Sequence, residues 1–215
     1  MPYASAVPLS LEERLAHIDR LAGSVATAMD GVLTPGTPVL MLDLLVVGAL
    51  NRTVAQIAGF AQLVRARNFL CAASLLRPQL DTAIRLFGIS LTDDQEAYAR
   101  LVLAGEKITG FKDRKGRRLN DGYLAERLSE HFRWVKPVYD ASSGFIHLSS
   151  RHVQQAIVQE TGAATQLRIA PIDSFTDETP YYELVDAFMA ATRAVLEIVQ
   201  AYAATRGGAP VAPPS

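Results

Sequence analysis

A single cysteine in 215 residues leaves no intrachain disulfide and no thiolate zinc cluster, and it fits a reducing cytoplasm. Its surroundings, NFLCAASLL, read as a buried helix, so Cys71 is expected to be inert core filling. An excess of one charge is also lacking. Lys and Arg number 21 against 22 Asp and Glu, a net charge of −1, so no global basic field draws nucleic acid and any such contact has to be local. No uninterrupted apolar run approaches the roughly 20 residues a bilayer span takes. The longest, VLMLDLLVVGAL (39 to 50), carries Asp43 and is closed by Asn51 and Arg52, the pattern of a buried helix. MPYASAVPLS has neither a basic start nor an apolar signal core. A cytoplasmic chain without membrane contact is therefore expected. No Glu-x-x-His pair offers ligands to a di-metal bundle, and no P-loop glycine spacing offers a phosphate cradle, so neither metal nor cofactor is expected.

What the chain does have is helical rhythm. Hydrophobic residues make up 49% of it and charged ones 20%, a balance suited to one domain with a sizeable core. Leu11, Leu15, Ile18, Ala22, Val25, Met29 and Val32 alternate spacings of four and three, with Ser10 and Glu13 as a capping box at the start. GVLTPGTP (31 to 38) ends that helix. Further helices are predicted from about Pro38 to Arg65 and from about Asn68 to Ser90, the latter kinked or broken at Pro78. Another is predicted after an N-cap at Thr92, and a short one over about 121 to 132. Pro137 sits in the first turn of the next. Period-two alternation around a Thr-Gly turn predicts a small β-hairpin near 153–171. The last helix begins near Thr179 and repeats the four-three seam at Tyr181, Val185, Phe188, Thr192, Val195, Val199 and Tyr202. The expectation is an all-α bundle of six or seven helices over 1–206. GGAPVAPPS (207–215) is too poor in apolar surface to fold and is expected to be a loose tail.

Two of these helices carry polar stripes. Arg77, Asp81 and Arg85 stand at i, i+4 and i+8, a spacing that drifts only about 40° per step around a helix. Tyr139, Ser143, His147 and Arg151 follow the same arithmetic, with Gly144 beside them to admit a close neighbouring helix. Charges inside a bundle need partners, so the stripes are expected to face one another, with Asp81 between Arg77 and Arg85. Asp43 and Asn51 would supply further polar groups from a third helix. Three accounts stand: a buried network that fixes helix register, a pair of solvated faces, or a pocket in which His147 moves a proton and arginines meet phosphate. KDRKGRR (112 to 118) reads as a solvated loop, with a phosphate-backbone contact as the other account. His17, His131 and His152 read as surface or boundary histidines.

The run from Leu50 to Leu86, with its Asn51-Arg52 and RPQLDTAIR, followed by LNDGYLAERLS (119 to 129) and SGFIHLS (143 to 149), resembles a group of bacterial helical proteins. In layout these are similar to HEPN-like domains, over most of residues 40 to 155. The resemblance implies an all-α bundle with a polar residue set on two central helices. It also implies a homodimer with its sites at the interface, and in some members metal-independent ribonuclease activity in toxin or anti-phage systems, with RNA or a nucleotide as substrate and a cognate antitoxin as partner. Joined to the polar stripes, it suggests catalytic roles for His147, Arg77 and Tyr139, and substrate contacts for Arg151, Ser143, Asp81, Arg85 and Asn51. The four-three seam of the last helix is the expected pairing surface. Active HEPN ribonucleases place Arg before His on one helix, four to six residues apart, whereas here His147 precedes Arg151 and only three residues separate Arg127 from His131. A non-catalytic bundle that binds a partner protein or small ligand is the alternative.

Overall fold

A computed structural model describes residues 9–161 and 164–206. The capping box forms as expected: Ser10 opens α1, Leu11–Val32, its hydroxyl accepting from the Glu13 backbone while the Glu13 carboxylate accepts from Ser10. Five of the seven seam positions are buried, while Ala22 is half-buried and Met29 is exposed. α2, Met41–Arg65, begins three residues later than expected, because Asp43 caps it from within by accepting the Leu40 N–H. α3, Phe69–Leu91, capped by Asn68, runs unbroken through Pro78. The Pro78 carbonyl accepts from the Thr82 hydroxyl at 2.9 Å and from Arg52 at 3.3 Å.

α8, Thr179–Thr205, closes the core. α1 packs on α2, α2 on α3, α3 on α8 and α8 on α1, a four-helix ring in which α2 and α8 are diagonal. They meet across the middle where Phe60 stacks on Phe188, ring centroids 3.9 Å apart. All seven seam residues of α8 are buried inside this ring. The expectation that they form a pairing surface is therefore wrong: a seam of this spacing fits a neighbour in the same chain as well as one in a second copy.

The remaining helices lie around α3. Thr92 caps the C-terminus of α3 and is buried; it is Asp94 that caps α4, Gln95–Leu103, which packs on α2. A short 3₁₀ turn, Ile108–Gly110, leads into the basic loop. There Arg114 pairs with Asp93 and with the carbonyls of Ser90 and Thr92, while Asp113 accepts from the Tyr123 hydroxyl and two loop amides. The loop is braced by its own charges. α5, Asp121–Leu128, and α6, Val135–Ile146, both pack on α3. α7, Ser150–Ala156, precedes the antiparallel strand pair β1, Ile157–Thr161, and β2, Ala164–Leu167, so helix occupies the first part of the expected hairpin. The Thr-Gly turn and the 207–215 tail fall outside the described residues. Phe69 collects Phe145, Phe175 and Tyr181 edge-on, which ties the end of α6 and the approach to α8 to the start of α3.

α2 is long and apolar enough to cross a membrane by length and composition, with a mean hydropathy of 1.4 over its most apolar window. Its Leu42, Val46, Ile57 and Phe60 are buried in the ring. Cys71 is exposed, against expectation, because Phe69, Ala72 and Ala73 turn inward and leave it on the outer side of the first turn of α3.

Candidate functional site

The two stripes do meet, but only in part. Arg77, on α3, gives Nε to Asp81 at 3.1 Å and Nη1 to both the Ser143 hydroxyl, at 2.6 Å, and the Tyr139 carbonyl, at 3.2 Å. Its guanidinium also lies on the Tyr139 ring, 3.5 Å from the centroid. One side chain thus clamps the penultimate turns of α6 to the middle of α3. The side chains of Arg77 and Asp81 are 18% and 22% exposed, so this clamp lies at the edge of the core. Burial pushes the Asp81 carboxyl above its ordinary value, with the Arg77 hydrogen bond opposing, and burial likewise raises the Tyr139 phenol against the pull of Arg77.

Arg85 does not join Asp81 as expected. One further turn along, it reaches α5 and binds both oxygens of Asp121, at 3.1 and 2.9 Å. Sequence reasoning saw Asp121 only as the start of a helix; a carboxylate in a first turn is a common capping residue and gives no sign of a distant partner. Asn51 is exposed and makes no side-chain hydrogen bond among the described residues. Asp43 lies elsewhere, fully buried, accepting from the Tyr202 hydroxyl at 2.6 Å and pairing with Arg206 at 2.9 Å, so it latches the start of α2 to the end of α8.

His147 is displaced most from its expected place. α6 stops at Ile146, and His147 is its extended C-cap, at φ −108° and ψ 147°. Ser149 then caps α7, with its hydroxyl donating to the Gly144 carbonyl at 2.6 Å and its N–H to Nδ1 of His152 at 3.2 Å. The four-residue rhythm therefore runs through Tyr139 and Ser143 and ends at a corner. A signal for the corner was present: Ser149 with a side-chain acceptor three residues on, His152, is a capping pattern with histidine in the usual place of glutamate. His152 is accordingly a capping residue, and His131 rests against Phe87, ring centroids 5.5 Å apart.

His147 and Arg151 are both exposed, and neither side chain makes a hydrogen bond or ion pair among the described residues. Arg151 folds back across α6, its guanidinium 4.8 Å from the Phe145 ring centroid. Gly144 makes room for this side chain rather than for a helix: a Cβ there would stand 2.9 Å from Cδ and Nε of Arg151. The geometry thus separates an inner clamp, Arg77, Asp81, Tyr139 and Ser143, from an outer pair, His147 and Arg151, carried on the corner that the clamp holds. An imidazole and a guanidinium without hydrogen-bond or ion-pair partners can exchange a proton and meet an anion; the Arg77 guanidinium, with Nε and Nη1 on internal acceptors, is placed to position α6. Among the described residues no group of three His, Cys, Asp or Glu side chains is placed to hold a metal ion. No family model, no curated protein and no solved structure matches this chain.

Proposed function

We propose that this chain is a HEPN-like helical protein of the toxin or anti-phage kind that acts on RNA or a nucleotide without a metal, with His147 moving the proton and Arg151 meeting the phosphate. The observation that carries this reading is the outer pair: two side chains suited to phosphate chemistry, exposed and without a hydrogen bond or ion pair among the described residues, on a corner fixed from below by Arg77 and Ser143. Neutral His147 would take the 2′-hydroxyl proton of a ribose as that oxygen forms its bond to the adjacent phosphorus. The bond from phosphorus to the 5′-oxygen then breaks, and that oxygen takes up a proton, while Arg151 balances the charge that builds on the phosphoryl oxygens. Arg77 and Tyr139 move from catalytic to positioning roles in this reading, and Arg85 and Asn51 leave the site.

The working species is a homodimer, which would bring a second histidine to supply the leaving-group proton. Leu148, 91% exposed, and Val153, 60% exposed, flank the outer pair and offer apolar surface for a second copy. The test is cleavage of RNA in the presence of a chelator. Because the exposed His147 side chain makes no hydrogen bond or ion pair among the described residues, His147→Ala should abolish cleavage with the denaturation midpoint unchanged. A wild-type chain that neither cleaves nor binds RNA would overturn the reading. The second reading, a non-catalytic bundle with a structural polar network, is favoured by the inward engagement of the Arg77 Nε and Nη1.

A further inference from the structure

Where α2, α3 and α4 meet, a cleft of about 210 Å³ opens. Leu45, Ala49 and Leu86 supply apolar wall, and its only charged lining residues are Arg52 and Arg85, with no acid among them. Arg52 gives one N–H to the Pro78 carbonyl at 3.3 Å and pairs with no carboxylate among the described residues. Arg85 gives Nε and Nη2 to Asp121 and keeps Nη1 without a hydrogen-bond partner there.

Gly48 is the second observation. It lines the cleft from within α2, and a Cβ built on it meets nothing within 4 Å. Its φ is not in the left-handed region, so neither crowding nor backbone shape calls for glycine. Glycine weakens a helix interior. At this exposed position glycine leaves the mouth of the cleft open where any side chain would project into it.

We infer that this cleft binds an amphipathic small molecule with an apolar body and one anionic head, a carboxylate or a phosphate. The body lies along Leu45, Gly48, Ala49 and Leu86, and the head sits between Arg52 and Arg85. A second cavity of about 510 Å³ shares Arg85 but is lined by the carboxylates of Glu106 and Asp121 as well as by Lys107, so the anionic head stays at the Arg52 end of the cleft. This site is separate from the corner that carries His147, and nothing in its logic requires RNA chemistry.

The experiment is calorimetric titration of the full chain with octanoate, octyl phosphate and, as uncharged control, octanol. Saturable binding of at least one anion is expected, and the stronger of the two identifies the head. Octanol, and the preferred anion on Arg52→Gln, should each bind roughly tenfold or more weakly, the loss of one charge-assisted contact. Gly48→Leu fills the cleft and should abolish binding while the urea midpoint holds or rises, since leucine is the better helix residue. Equal binding of octanol and octanoate, undiminished binding by Gly48→Leu or Arg52→Gln, or no saturable binding of either anion would each overturn the inference.

Discussion

Replacing Arg77 with methionine keeps most of the aliphatic stem and removes the guanidinium. The side chain would lose a charged hydrogen bond to Asp81, two to the neutral oxygens of Ser143 and Tyr139, and its stack on the Tyr139 ring. Taken separately these come to about 2 kcal/mol for the charged bond, about 1 for each neutral one and about 1 for the stack. They are not additive, and water reaches the cluster, since Arg77 is 18% and Asp81 22% exposed. Removing one partner of a fully buried ion pair costs about 3 to 5 kcal/mol, so the lower end, about 3, is the expected value here. With a urea slope of about 3 kcal/mol/M for a chain of this size, the midpoint should fall by about 1 M. The double variant Arg77→Met with Ser143→Ala should show a coupling of at least about 0.5 kcal/mol, because the two residues share one bond. An unchanged midpoint with zero coupling would refute the clamp. It would also remove the reason for assigning Arg77 to positioning rather than chemistry.

Asp81→Asn should behave differently. The Asp81 carboxyl is raised by burial above its ordinary 3.8, so folding disfavours its charge; its contribution is fully present below 3.8 and is lost as pH rises through the raised value. The variant should therefore cost less at neutral pH than Arg77→Met and should flatten the stability profile just above 3.8; urea midpoints across that range check both, and a loss equal to that of Arg77→Met would contradict the sign. Asp43→Ala removes the acceptor of the Tyr202 hydroxyl and the Leu40 N–H and the carboxylate beside Arg206, which keeps the Val32 and Pro38 carbonyls, at an expected cost of about 3 kcal/mol in chemical denaturation. A loss below about 1 kcal/mol, the value of a surface pair, would mean that the latch contributes little.

The fold was largely readable because most of its signals are local. The Ser10 and Glu13 box and the four-three seams each act within a turn or two of themselves. The site was half readable for the same reason. Spacing on α3 aligned Arg77 with Asp81, and spacing on α6 aligned Tyr139 with Ser143. Yet periodicity says nothing of where a helix stops, and the corner at His147 undid the second half of that stripe. Partners more than a few turns away carried no local mark. Arg85 chose Asp121 rather than Asp81, and Asp43 chose Tyr202 and Arg206, because only the assembled packing brings those groups together. Cys71 shows the same limit on a smaller scale: an apolar neighbourhood does not tell which side of the first helical turn faces out.

The ring of helices also governs the order in which the molecule can be completed. α8 is its fourth wall, and the bond from Tyr202 to Asp43 joins residues 159 apart in the chain. A nascent chain that has delivered α1 to α3 therefore presents a trough with Ile18, Phe60 and Leu80 open to water until α8 has been synthesised. During that interval these side chains are sticky toward other unfinished chains and toward holdases, so truncation within α8 should yield aggregates rather than a smaller folded domain.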